Sequence, residues 1–432
     1  MEWRRINSAE IPNPKLRNGD SGGEVSIYPF YAGYSLSFAR DLLNQLALHK
    51  QAVVVDPWNG SGTTTLAAAE IGLEAKGFDL NPAMAIVARA RLFGKPDILP
   101  QLTQHDWDAA ISYWADASGY DLDLLGQWFS RPAAHRIRAL STAIGNLRVR
   151  GTQAAGDRCA QLRVAEARAL CYVALFRTVR ELLSDYWTSN PTWIRHRLSE
   201  EEKISITGAR LVSVFRRQME AVASQLPDPR LVASGTLRVA LQTFSSTCLP
   251  CPRASADCIL TSPPYCTRID YAVATLPELA VLGLSAREVE SLRKQMMGSV
   301  LSAREAGEPL ETWGPECLSV LDAVRSHRSK ASATYYYRSL WKYFSDLGTS
   351  IAEISRVLKK SAPCVMVIQD SYYKEIRIDL ATIVTEIARR HGLRYETSRS
   401  FESHSLSEIH PHARKYRSRF RAEETVLVLR KD

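Results

Sequence analysis

Asp56-Pro57-Trp58-Asn59-Gly60-Ser61-Gly62-Thr63-Thr64 decides the fold through what flanks it. Residues 52–55 before it form a short run rich in valine, and the stretch 63–71 after it carries a helical pattern. A second short apolar run, 75–78, closes on Asp79. Strand, glycine-rich turn, helix and strand in this order make a βαβ unit, whose two strands must lie parallel, so the fold class is α/β. Upstream, the spacing of Phe38, Leu42, Leu43 and Leu46 predicts an amphipathic helix over 37–48.

Further along, the rhythm changes. Long helical patterns at 165–183 and 206–226, with few strand signals around them, predict a mostly helical insertion over 95–230. Strand-like runs return at 237–241, 258–260, 364–368, 394–398 and 425–429, the last two suited to an antiparallel pair at a sheet edge. Three parts follow: 1–94 with a polar lead-in and the first half of the sheet, the helical 95–230, and 231–432 with the second half. The expectation is a Rossmann-like, mostly parallel sheet with a C-terminal antiparallel hairpin and a large helical insertion.

At 432 residues, with 45% hydrophobic and 23% charged residues, the chain has a globular composition, which excludes collagen-like, coiled-coil and wholly disordered classes. No run approaches the eighteen apolar residues of a membrane span, and Met1-Glu2-Trp3-Arg4-Arg5 lacks a signal peptide's apolar core. A cytoplasmic protein with no membrane partner is therefore expected. The eight cysteines are irregularly spaced and read as reduced thiols. Cys248-Leu249-Pro250-Cys251 is a lone Cys-x-x-Cys lacking two further zinc ligands, so no metal is expected.

Lys and Arg number 55 against 46 Asp and Glu, a formal +9 that favours polyanionic partners. Ten arginines (131, 136, 138, 148, 150, 158, 163, 168, 177 and 180) face only Asp157 and Glu166 between 131 and 180, a local excess of eight. A second basic stretch, 410–421, interleaves arginines with Tyr416 and Phe420. Both are expected to follow a nucleic-acid backbone, the plainer readings being a solvated helix face and an exposed loop.

The glycine turn is not built for phosphate. The dinucleotide fingerprint needs a third glycine where Thr65 stands, and the Gly-Lys-Ser/Thr of a P-loop is absent. Asp79, seventeen positions after Gly62, can accept from both hydroxyls of a ribose. The expected ligand carries a ribose without a phosphate chain. The plainer alternative is a tight turn at Gly60 and Gly62, with Asp79 capping a helix that starts near Pro82.

A second site decides between them. The buried-strand run 256–260 ends in Thr261-Ser262-Pro263-Pro264-Tyr265. Two prolines fix the backbone and remove two donors, leaving carbonyls as acceptors, while Ser262 adds a hydroxyl and Tyr265 a flat ring. Such a turn suits a planar group with an exocyclic amine.

Together, Asp-Pro-Trp-Asn-Gly-Ser-Gly-Thr-Thr at 56–64 and Thr-Ser-Pro-Pro-Tyr at 261–265 resemble motifs I and IV of the S-adenosylmethionine-dependent amino methyltransferases of DNA, the N4-cytosine and N6-adenine class. Tyr28-Pro29-Phe30-Tyr31 resembles motif X of the same family. Ser-Pro-Pro-Tyr is the form more usual in N4-cytosine enzymes. The resemblance implies S-adenosylmethionine as cofactor, with Gly60 and Gly62 against it, Asp56 near its methionine amino group and Asp79 on its ribose. Pro57, Trp58 and Thr63 belong to the same turn, and Tyr28 lies at the methionine end. Ser262, Pro263, Pro264 and Tyr265 would hold a base flipped out of double-stranded DNA. Trp58 stands where the family has phenylalanine, and the acidic residue at the end of the third strand has only Gln242 nearby.

Positioning and electrostatics carry such a transfer, because acceptors on the amine favour a pyramidal nitrogen whose lone pair attacks a sulfonium methyl in line. A carbon-methylating enzyme needs a cysteine directly after its prolines; Tyr265 stands there and Cys266 is one place late. Cytosine-N4 methylation of DNA is the leading expectation, with a restriction or defence protein as a compatible partner. Adenine-N6 methylation, an RNA base amino methyltransferase and a catalytically idle nucleic-acid scaffold are the alternatives. Asp270 and Glu278 are read as caps of the helix beyond the turn, with shaping of the base pocket as the alternative, and Tyr335-Tyr336-Tyr337 as half-buried helix surface, with a DNA-facing role as the alternative.

Overall fold

The computed structural model describes residues 4–15, 27–29, 33–92, 123–147, 158–188, 194–195, 199–226, 238–266, 270–299, 306–403 and 422–432. In chain order, α1 (Leu36–Gln45), β1 (Val53–Asp56), α2 (Thr63–Glu70), β2 (Glu74–Asp79) and α3 (Pro82–Arg91) form the βαβ unit and its flanks. The helices α4 (Arg131–Gly145), α5 (Arg158–Leu182) and α6 (Gly208–Ser224) follow. Then come β3 (Val239–Thr243), β4 (Cys258–Thr261), α7 (Tyr271–Ala274), α8 (Leu276–Val281), α9 (Ala286–Gln295) and α10 (Pro315–Ser326). A five-residue π-helix, Ser332–Tyr336, leads into α11 (Tyr337–Val357). The chain closes with β5 (Pro363–Gln369), β6 (Ser371–Tyr373), β7 (Ile376–Ile378), α12 (Leu380–Arg390), β8 (Leu393–Ser403) and β9 (Ala422–Lys431).

Seven strands make one sheet in the order β3-β2-β1-β4-β5-β9-β8. Neighbours from β3 to β5 are parallel, while β9 runs antiparallel between β5 and β8. This is the expected Rossmann-like sheet with its antiparallel C-terminal pair. Both faces are covered, which is why the central strands read as unbroken apolar runs. Val54, Leu260, Val365 and Val428 join the core under α1 and α2, while Val55, Ile259, Met366 and Leu429 join the core under α10, α11 and α12. The short hairpin β6–β7 leaves no alternation signal in the sequence.

Between α3 and β3 the regular elements among the described residues are helices, with isolated bridges such as Phe129 with Ile204. A third core joins α4, α5 and α6 to Met84 and Val87 of α3 and to Leu279 and Val281 of α8. The helical stretch therefore shares buried surface with both halves of the sheet region. Among the described residues, no helix is long and apolar enough to cross a membrane.

Candidate active site

The two motif turns leave the carboxyl ends of β1 and β4, which are adjacent parallel strands. Ligands of open α/β sheets bind at this edge. One carboxylate joins the two turns. Asp56, 3% exposed at the end of β1, accepts the Trp58 N–H at 3.1 Å and the Thr261 hydroxyl at 2.5 Å on Oδ1. Its Oδ2 accepts the Thr64 hydroxyl at 2.6 Å, and Thr64 Oγ1 lies 2.5 Å from the hydroxyl of buried Tyr34. Burial pushes the Asp56 carboxyl up to about 6, and the hydroxyl and backbone donors hold it from rising further. Expected beside a cofactor amine, Asp56 is instead enclosed by donors from α2, the turn and β4.

The glycines are explained by backbone shape and by α3. Gly60 has φ +47° and Gly62 φ +84°, where side chains are strained. A Cβ on Gly62 would lie 2.7 Å from the Cβ of Ala88, so α3 can approach only a glycine. Arg91 pins the turn from the end of α3, donating to the Ser61 carbonyl at 3.0 Å and the Thr63 hydroxyl at 3.0 Å. Asn59 has a structural role that its place in the motif does not reveal: its buried side chain accepts from Thr65 and occupies the space a Cβ on Gly77 would need, 2.5 Å away. A glycine inside a strand was the available signal.

Asp79 ends β2, half-buried. Its Oδ2 accepts the Gly60 N–H at 2.9 Å and its Oδ1 the Asn81 N–H at 2.8 Å, while burial raises its carboxyl to about 6. Each oxygen keeps a second lone pair, an acceptor set that fits the two hydroxyl donors of a vicinal diol. The capping alternative is corrected, because the N-cap of α3 is Asn81, which accepts from Ala83. At the end of β3, Gln242 and Thr243 are exposed, with Thr243 in register with Asp79.

In the second turn, the Pro264 carbonyl accepts the hydroxyl of Tyr343 on α11 at 2.9 Å, and Ser371 at the start of β6 donates to the Cys266 carbonyl at 3.2 Å. Among the described residues no hydrogen bond engages the Ser262 hydroxyl or the Pro263 carbonyl. Tyr265 is half-buried; burial, then Glu424 and Tyr271, raises its phenol well above the ordinary range. Glu424 is 6% exposed at the start of β9, and burial lifts it to about 7. Neither Tyr343 nor Glu424 carries a local sequence signal, since each reaches the turn from over seventy residues away.

Three expectations change. Tyr28 is a wall residue: its ring, 1% exposed, packs edge-on to Phe176 with the Arg180 guanidinium 5.2 Å from its centroid. Several of the cluster's described arginines are spent on internal partners. Arg138 binds Asp123 and the carbonyls of Ala280 and Val281, Arg168 the Leu147 carbonyl, and Arg177 the side chains of Gln218 and Gln225. Arg180 pairs with fully buried Glu278, which lies inside α8 behind its N-cap Thr275, whereas Asp270 does cap α7 through Val273. Burying arginines on partners lets helices cross-link, and a charge count cannot reveal it. Residues 148–157, and with them Arg148 and Arg150, lie outside the described residues, as does the basic stretch 410–421; nothing is described of the side chains of Arg158 and Arg163.

The strand order, with β9 inserted antiparallel beside β5, makes a Rossmann-like sheet closed by an antiparallel pair. Among curated proteins the chain is similar to the Type II methyltransferase M.AvaI of Nostoc sp. and of Anabaena variabilis, each 25% identical over 393 residues, covering 84% of this chain and 78% of the relative. It is also similar to the Type II methyltransferase M.BsoBI of Geobacillus stearothermophilus, 20% identical over 439 residues, covering 90% of this chain and 83% of the relative. Similar solved structures include a SAM-dependent methyltransferase from Methanosarcina mazei, with 8% identity and TM-score 0.29 over 90% of this chain and 96% of that one. The 4+2 cyclase SpnF superposes with 10% identity and TM-score 0.33 over 92% and 81%. No family model matches.

Proposed function

We propose that this chain transfers a methyl group from S-adenosylmethionine to the exocyclic amine of a base flipped out of duplex DNA, with cytosine N4 as the target. The observation that carries it is the Asp56 link: one buried carboxylate holds the start of the glycine turn, through Trp58 and Thr64, and the residue before Ser262, through Thr261. A donor site and an acceptor site at the ends of adjacent strands are thereby held in fixed relation, as methyl transfer in line requires. The similarity to Type II methyltransferases supports the coarser reading, methylation of DNA with this cofactor.

Asp79 would hold the ribose diol, and Gly60, Gly62, Pro57, Trp58 and Thr63 would line the cofactor's turn. Bound there, the cofactor supplies a sulfonium methyl. Ser262 and the Pro263 carbonyl accept the N–H groups of the target amine, which frees the nitrogen lone pair. Tyr343 holds the Pro264 carbonyl and with it the shape of the turn. Tyr265 stacks on the base, offsetting part of the few kcal/mol that flipping costs. Ser262 in place of an acidic residue supports cytosine over adenine, following the resemblance.

Labelled S-adenosylmethionine is incubated with DNA and RNA pools, and the modified nucleoside is identified by mass spectrometry. N4-methylcytosine in DNA is expected. N6-methyladenine would move the target, label on RNA alone would replace the substrate, and no label on either polymer would favour an idle scaffold. Tyr265→Ala should abolish transfer while sparing cofactor binding; full activity in that variant would overturn the assignment.

A further inference from the structure

Between Asp322 and Asp346 the sequence holds Arg325, Arg328, Lys330, Arg338 and Lys342, three consecutive tyrosines and no acidic residue. In the structure this stretch is the corner where α10 passes through the π-helix into α11, and the β6–β7 hairpin packs onto it. Tyr373 of the hairpin contacts Ser332 through its hydroxyl, and its ring lies 4.9 Å from Tyr336 and 5.5 Å from His327. Lys374 reaches Ser329, and Glu375 pairs with His327. The outer side carries exposed Arg325, Arg328 and Lys330, with half-buried Tyr335 and Tyr336 among them. Arg325 lies 5.6 Å from the Tyr337 ring centroid.

The corner is also strained and close to the candidate active site. Ala331 (φ +66°) and Lys374 (φ +53°) both occupy left-handed backbone that non-glycine residues avoid. Strain of this kind and π-helices both concentrate at functional positions. Two direct bonds tie the corner to the second motif turn: Tyr343 to the Pro264 carbonyl, and Ser371 to the Cys266 carbonyl. Tyr336 and Tyr343 are seven residues apart, about 10 Å along a helix at the usual rise, so the π-helix ends about two helical turns before the residue that bonds that carbonyl.

We propose that this corner docks the sugar–phosphate backbone of duplex DNA beside the flipped nucleotide. The inference rests on the function proposed above. Exposed arginines and lysine supply the charge that neutralises phosphates, and tyrosine hydroxyls and rings suit phosphate oxygens and sugar. Unlike Arg138, Arg168, Arg177 and Arg180, whose donors are spent on carboxylates, amides and carbonyls of the chain itself, Arg325, Arg328 and Lys330 are exposed on the corner that bonds to the second motif turn. Charge placement at the reaction edge also sets the register of the duplex over the second turn.

The test measures duplex affinity by fluorescence anisotropy across a salt series, using the full chain. One variant carries Arg325→Gln, Arg328→Gln and Lys330→Gln. A control removes the same charge from the opposite edge of the sheet with Arg389→Gln, Arg390→Gln and Arg394→Gln. Three lost phosphate contacts should lower the slope of log affinity against log salt by about 2.7, which at 0.15 M is a weakening on the order of 100-fold. S-adenosylmethionine affinity, measured by calorimetry, should be unchanged in both variants. If the native chain binds duplex and the corner variant keeps the slope and affinity of the control, this inference is overturned while the proposed function stands. If the native chain binds no duplex at all, the proposed function itself fails and the corner's role falls with it.

Discussion

Replacing Gly62 by alanine places a methyl group where α3 already packs. Gly62 sits at φ +84° immediately before α2, and a Cβ there would lie 2.7 Å from the Ala88 Cβ and 3.0 Å from its Cα. Left-handed backbone costs a non-glycine residue about 1–2 kcal/mol, and overpacking a filled core about 1–3 kcal/mol, so the variant should lose roughly 2–5 kcal/mol. Gly72→Ala separates the two contributions, because Gly72 has φ +77° with nothing within 4 Å of a Cβ. Its expected loss is the backbone cost alone, about 1–2 kcal/mol. Ala88→Gly in the Gly62→Ala chain removes the methyl in closest conflict. Although glycine costs the helix about 0.5–1 kcal/mol, the two substitutions should couple favourably by at least about 1 kcal/mol. Urea denaturation followed by tryptophan fluorescence on the native, single and double variants measures every quantity required. Equal losses for Gly62→Ala and Gly72→Ala, together with no coupling to Ala88, would refute the claim that contact with α3 selects this glycine. The comparison uses the free protein, so it tests the turn independently of any ligand.

Asp56→Asn probes the carboxylate between the motif turns. A buried carboxyl raised from 3.8 to about 6 favours the protonated folded state, so its stabilisation is fully present below about pH 3.8 and is lost as pH rises through about 6. That shift is worth about 3 kcal/mol, so the stability of the asparagine variant relative to the native chain should climb by about that much between pH 4 and pH 7; a flat difference would contradict it. Glu278→Gln leaves Arg180 buried without its counter-charge and should cost about 3–5 kcal/mol. Arg180→Met combined with Glu278→Leu should recover most of that loss, and a double variant no better than the single would show that the pair's charges are not what matters. Tyr343→Phe strips the donor from the Pro264 carbonyl and should cost about 1–3 kcal/mol. Under the proposed function it lowers kcat with the KM for cofactor unchanged, and an unaltered kcat would show that the turn keeps its shape without Tyr343.

Much of the fold was legible because it is written in short periods. The short apolar runs before Asp56 and before Asp79, too short for helices and flanking a glycine turn and a helix, read as buried strands that must lie parallel. The strand pair β8–β9 was expected, but its insertion with β9 against β5 was not, because strand order depends on contacts between residues far apart in sequence. The motif residues were also legible, since local turns need glycine and proline where they stand. What held those turns was not: Thr64 and Thr261 meet on Asp56 from α2 and β4, and Tyr343 reaches Pro264 across seventy-nine residues.

Charge was where sequence and structure diverged most. Counting arginines located the excess between 131 and 180, but a formal charge carries no direction. Only packing decided that Arg138, Arg177 and Arg180 point inward to carboxylates, amides and carbonyls, while Arg325, Arg328 and Lys330 face solvent beside the second turn. Sequence alone determined the strands of the main sheet, the helical stretch and the two motif turns, because those depend on backbone preference and hydrophobic period. Tertiary structure decided which charges remain available to a partner, because a guanidinium's role is set by the groups it meets in space and not by its neighbours in the chain.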